Sequence, residues 1–204
     1  MPENEEITRE KNQDDNDTTP MAVVGIGASA GGLEALEDFF KNMPYRTGLA
    51  FVVVQHLSPD YKSLMAELLS KHTKMEVMRA EDGIEVEPDH VYLIPPKKNI
   101  TIYTNRLFLK EQQHGHGLNL PIDIFFRSLA EDQGDRAIGI VLSGTGSDGT
   151  LGSRAIKGAG GMVMVQDAEN AKFDGMPRSV IRTGLADYIL NTDRMPEELI
   201  NFIK

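Results

Sequence analysis

A lone hydroxyl, Ser29, sits inside the glycine-rich stretch Gly25-Ile26-Gly27-Ala28-Ser29-Ala30-Gly31-Gly32. Two chemistries fit this segment. Gly25 to Ala30 follows G-x-G-x-x-G/A, in which glycines let a dinucleotide pyrophosphate approach a helix N-terminus. Gly27 to Gly31 follows G-x-S-x-G, in which small neighbours tolerate a strained turn that lifts a serine Oγ clear of a sheet. A third reading is structural: Ser29 caps a helix packed closely on a strand. The segment by itself leaves all three open. A dinucleotide site wants an acid about 20 residues past the glycines, to hold the ribose hydroxyls. Gln55 and His56 stand there instead. An imidazole titrates near neutral pH, so His56 can take the proton that makes a serine nucleophilic. Asp148 lies in a second glycine-rich run, Ser143-Gly144-Thr145-Gly146-Ser147-Asp148-Gly149. Alone it reads as a helix N-cap. Beside Ser29 and His56 it reads as the acid that holds the imidazole tautomer and steadies the imidazolium. Backbone amides of the Ser29-Ala30-Gly31 turn would serve as oxyanion donors, each typically worth about 3 kcal/mol of barrier.

The elements that must bring these residues together follow a regular alternation. Val23 to Ile26 is an apolar run, and Leu33, Leu36 and Phe39 are spaced for one helix face. Leu49 to Val54 and Ala137 to Leu142 are continuous apolar runs, as expected of parallel strands buried on both faces. Ser29, His56 and Asp148 each follow such a run, where neighbouring strand ends of a parallel sheet form sites. The order Ser, His, Asp differs from the Ser, Asp, His order of alpha/beta-hydrolases, but triads are defined by geometry. A helix is predicted over Lys62 to Lys71, with Ser58 and Pro59 at its start. Between Glu76 and Leu109 short β-prone pieces predict an antiparallel insertion, with a hairpin across Thr104-Asn105-Arg106. His114 and His116 lack a third ligand at obvious spacing and read as an exposed loop rather than a metal site. Pro121 opens a helix with Ile122, Phe125, Phe126 and Leu129 on one side, and Asp123 favours its dipole. Met162 to Val165 and Tyr188 to Leu190 are further strands, with helices over Arg178 to Thr183 and Pro196 to Ile203. The fold class is α/β: a doubly wound, mostly parallel sheet with helices on both faces and a small antiparallel hairpin insertion.

Composition narrows the function classes. Residues 1–20 carry seven acids and two bases, a charge of −5 out of −10 for the whole chain, and almost no aliphatic surface to bury. They are expected to form a disordered acidic tail ahead of one domain over 21–204. With zero cysteines, a disulfide framework, a thiol nucleophile and a Cys-based zinc site are all excluded. No apolar run approaches the roughly 20 residues of a membrane helix, and no apolar signal segment follows the N-terminus. A cytoplasmic setting is expected, with no membrane embedding. The acidic balance argues against nucleic acid as a partner. No cofactor or metal is expected.

Several motifs, in order, resemble the catalytic domain of bacterial chemotaxis protein-glutamate methylesterases, the CheB type. They are Gly27-Ala28-Ser29-Ala30-Gly31-Gly32, Gln55-His56, Pro121-Ile122-Asp123, Leu142 to Gly149, and Gly175-Met176-Pro177-Arg178. The resemblance runs from about Met21 to Lys204. It implies a triad at Ser29, His56 and Asp148. It also implies hydrolysis of glutamate methyl esters on methyl-accepting chemoreceptors with release of methanol, and in some members deamidation of receptor glutamines. The family often carries Thr after the serine and Met in the late loop, both tied to the oxyanion hole. Here these positions are Ala30 and Thr145, so the implied oxyanion loop is Ala30, Gly31 and the Thr145 backbone amide. A receiver domain usually precedes this domain; here the acidic tail is expected in its place. The layout also looks similar to an N-terminal methylesterase domain fused to a methyltransferase. The alternative to an enzyme is a regulatory, protein-binding module that keeps the same fold.

Overall fold

The structure, a computed structural model, describes residues 19–56, 64–113, 115 and 117–204. The acidic tail up to residue 18, the helix start at Ser58-Pro59, and His114 and His116 lie outside the described residues. Among the described residues, no helix is long and apolar enough to cross a membrane.

The first units are β1 (Ala22–Ala28), α1 (Gly32–Asn42), β2 (Leu49–Gln55) and α2 (Met65–Ser70). They are followed by β3 (Glu76–Arg79), β4 (His90–Leu93), the strands β5 (Lys98–Tyr103) and β6 (Arg106–Glu111), and α3 (Pro121–Gln133). The last units are β7 (Ile138–Val141), α4 (Thr150–Gly158), β8 (Met162–Gln166), α5 (Gly175–Arg182), β9 (Tyr188–Leu190) and α6 (Met195–Ile203). Seven strands form one sheet in the order β3-β4-β2-β1-β7-β8-β9, all parallel. The antiparallel insertion is smaller than the β-prone pieces suggest. Among the described residues only β5 and β6 form an antiparallel ladder, whereas β3 and β4 extend the parallel sheet at its edge. Ile84 to Val86 contributes a single bridge, Glu85 to Arg106. Short apolar pieces carry no record of their partner, which here is a strand about 40 residues earlier in the chain.

Both faces of the sheet are covered, as the uninterrupted apolar strands require. Val24, Ile26 and Ala28 of β1 pack with Leu36, Phe39 and Phe40 of α1, Leu69 of α2 and Leu199 of α6. Phe39, Phe40 and Phe51 meet edge to face at 5.1–6.0 Å and pin α1 onto β2. The opposite face holds Ile122, Phe125, Phe126 and Leu129 of α3, Ile156 of α4, Val180 of α5, and Ile100 and Leu107 of the hairpin.

The glycines of β1 belong to this second face. A Cβ at Gly25 would lie 3.0 Å from the rings of Phe125 and Phe126, and one at Gly27 would lie 2.5 Å from Ile122 Cγ2. They let α3 settle against the strand, so the G-x-G repeat is explained by helix packing rather than by a bound pyrophosphate.

Candidate active site

β1, β2 and β7 are adjacent, so the segments leaving their C-terminal ends meet. The ladder continues past the strands and fixes this meeting. His56 N–H donates to Ala28 O at 3.4 Å, Leu142 N–H to Gly27 O at 2.9 Å, and Ser29 N–H to Ser143 O at 2.9 Å. Ser29, His56 and Asp148 therefore share one rim of the sheet.

Ser29 occupies a tight turn between β1 and α1. Gly32 N–H closes back on Ser29 O at 2.9 Å, and Gly31 takes the left-handed φ of 70° that the turn needs. Gln55 Nε2 reaches Ser29 O at 3.4 Å from the end of β2. Below the turn, the buried Ser143 hydroxyl donates to Ala30 O at 2.7 Å and accepts Phe173 N–H at 3.0 Å. One small polar side chain thus ties the serine turn to the loop before α5. Among the described residues, nothing accepts the N–H of Ala30 or Gly31. Such free amides at a helix start are what an oxyanion requires. Thr145 is exposed on the neighbouring loop.

Asp148 does not cap its own helix. Gly149 holds the N-cap position of α4 at φ 94° and has no side chain of its own to cap it. The Asp148 carboxylate turns instead to α3. Oδ2 accepts Ile122 N–H at 3.0 Å, while Oδ1 accepts Asp123 N–H and Gly149 N–H, each at 2.9 Å. Its side chain is 7% exposed, and Oδ2 lies 3.5 Å from Nε2 of His56. A carboxylate fixed by three amides and lying beside an imidazole can orient the ring, with Nε2 as the nitrogen nearer the acid. His56 itself is open, with 42% of its side chain exposed.

Ser29 and His56 line the same cleft of about 850 Å³, floored by Leu33, Met65, Leu68 and Phe173. This volume suits a side chain and part of its backbone. Among the described residues no hydrogen bond joins Ser29 Oγ to His56, a step that commonly tightens only when substrate is bound.

Sequence reasoning passed over two residues here. Ser143 carries no signal of its own within the second glycine-rich run. Asp123 was read as a dipole partner, yet it is buried and bonded to the start of α4. A signal existed in Gly149 and Gly152, whose bare backbone lets a second helix come close. A Cβ at Gly152 would lie 3.1 Å from the Asp123 Cα.

Known proteins resemble this chain in sequence and in fold. The family model of CheB methylesterase matches residues 24–199. The protein-glutamate methylesterase/protein-glutamine glutaminase of Thermotoga maritima is 34% identical over 185 residues, covering 89% of this chain and 54% of that protein. A 104.1 kDa uncharacterized protein of Rhodobacter capsulatus is 46% identical over 139 residues, covering 68% of this chain and 14% of its own length. The chain spans about half the length, or less, of these curated relatives. The crystal structure of the Thermotoga maritima CheB methylesterase catalytic domain superposes with a TM-score of 0.81 at 34% identity, covering 89% of this chain and 98% of that one. With the parallel sheet, the serine turn and the family model in agreement along the folded chain, this protein belongs to the CheB methylesterase family.

Proposed function

We propose that residues 21–204 act as a serine hydrolase that removes methyl esters from glutamate side chains of methyl-accepting chemoreceptors. Ser29 Oγ attacks the ester carbonyl as His56 takes the hydroxyl proton, and Asp148 steadies the imidazolium. The tetrahedral oxyanion is held by the Ala30 and Gly31 amides, with the Thr145 amide as a further donor. Collapse expels methoxide, which takes the proton from His56 and leaves as methanol. Water, deprotonated by His56, then frees the glutamate and restores Ser29. On a glutamine the same sequence releases ammonia, which accounts for the glutaminase half of the relatives' names.

The observation that carries this reading is the amide-locked Asp148 facing His56 on the rim that also bears Ser29. The test is methanol release from a methylated receptor by the wild type and by Ser29→Ala. The reading expects release by the wild type and none above background by the variant. Equal rates would remove Ser29 from the mechanism.

A receptor of this kind places the domain on the cytoplasmic side of a membrane it does not itself enter. We further propose that the domain works within a longer chain that also carries a methyltransferase, so that ester synthesis and hydrolysis share one polypeptide. The Rhodobacter relative, in which the matching segment is 14% of the length, supports a larger setting.

A further inference from the structure

Two acids meet behind the candidate active site, and the proposed chemistry uses only one. Asp148 lies in the loop before α4 but caps α3 through Ile122 N–H and Asp123 N–H. Asp123 lies on α3 but caps α4, its Oδ1 accepting Gly149 N–H at 3.0 Å and Gly152 N–H at 2.7 Å. Asp148 thus fills the N-terminus of the helix that carries Asp123, and Asp123 fills the N-terminus of the helix that follows Asp148.

The exchange also brings the two carboxyl groups together. The single N–H of Gly149 lies 2.9 Å from Oδ1 of Asp148 and 3.0 Å from Oδ1 of Asp123. Asp123 is 2% exposed, and its Oδ2 has no hydrogen-bond partner among the described residues. An ionised carboxylate with one oxygen buried and unpaired is costly, and a second charge beside it raises that cost. Asp148 is the better placed of the two to keep a charge, because both its oxygens accept amides and His56 faces it.

We propose that Asp123 is a positioning residue that sits behind Asp148 as a neutral carboxylic acid, pins the first turn of α4 to α3, and so holds the Asp148 carboxylate toward His56. Burial pushes the Asp123 carboxyl above its ordinary value, and the Asp148 charge pushes the same way. The Gly152 and Gly149 amides and the Arg127 guanidinium pull against it. Among the described residues, the charged groups acting on Asp123 are Asp148, from the loop before α4, and Arg127, on α3 itself, and His56 faces Asp148 in turn. The role depends on the triad reading of Ser29, His56 and Asp148; the protonation state does not.

The experiment has two arms. Carbon-13 carboxyl NMR of the wild type, with aspartate labelled, follows each acid through pH. Asp123 is expected to stay protonated above the ordinary carboxylate range while Asp148 is ionised. Two ionised signals there would overturn the proposal, and this arm needs no substrate. The second arm measures methanol release. Asp123→Ala is expected to lower kcat about 10²-fold by misplacing Asp148, with KM unchanged. Asp123→Asn, which keeps an acceptor for the two glycine amides and carries no charge, is expected to restore most of the loss. Failure of Asn to rescue would mean that the charge is required, and no loss in Ala would mean that Asp123 positions nothing; either contradicts the proposal. If Ala does not fold, Asn and the NMR arm still decide. A wild type without esterase activity would defeat the functional reading while leaving the protonation result legible.

Discussion

The turn after β1 and the loop after β7 both leave a buried parallel strand and reach a helix through a left-handed glycine, Gly31 at φ 70° and Gly149 at φ 94°. Neither helix is capped by a side chain of its own loop. Beyond that they diverge. The first turn opens its hydroxyl and its free amides to a cleft. The second folds its acid inward, under three amides. The difference matches the two chemical duties proposed for these segments, nucleophile and orienting acid. A nucleophile must be reached by substrate, so the serine turn is fixed from behind, by Ser143 and Gln55, and left bare in front. An orienting acid must never be reached, so Asp148 is covered by α3 and shows one oxygen edge to His56.

Three substitutions would break or sharpen this contrast. The largest effect is expected at Asp148→Asn. The amide would turn a donor toward N–H groups that are already donors and would no longer fix the imidazole tautomer. Methanol release should fall on the order of 10⁴-fold in kcat, and a loss below tenfold would show that the buried loop does not serve the open one. Gly31→Ala comes next. A Cβ there would sit 2.8 Å from Ser143 Oγ and 2.9 Å from Lys172 Cβ, at a φ that costs an L-residue about 1–2 kcal/mol. Chemical denaturation should show a loss of at least that size, and unchanged stability would mean that the turn is not held from behind.

The smallest effect concerns the buried half and is read through pH. A raised Asp123 value in the folded protein means that folding favours the protonated acid. Its contribution is complete below about the ordinary 3.8 and is lost as pH rises through the higher folded value. Asp123→Asn removes that loss. The melting temperature of the variant minus that of the wild type should therefore climb with pH across this window. A flat difference would place an ordinary carboxylate at Asp123.

Much of the scaffold was legible in the chain. β1, β2 and β7 declare themselves because strands buried on both faces must be apolar throughout, and the C-terminal ends of such strands are where parallel sheets build sites. What escaped was pairing at a distance. β3 and β4 join the main sheet through partners that their own few residues cannot specify. The reciprocal capping of Asp123 and Asp148 escaped for the same reason: helix propensity concerns a residue's own helix, whereas each of these acids serves the other's. The doubled glycine signal was ambiguous because one residue type answers two demands, close approach of α3 at Gly25 and Gly27, and a left-handed backbone at Gly31.

Activation of Ser29 as a nucleophile is tested most directly by a fluorophosphonate, which needs no receptor. Intact-protein mass and peptide mapping after exposure to the probe should find one adduct, on Ser29, forming on the order of 10²-fold more slowly or worse in His56→Ala, as loss of a general base requires. Folded wild type that stays unlabelled, or that reacts equally fast without His56, would contradict the account.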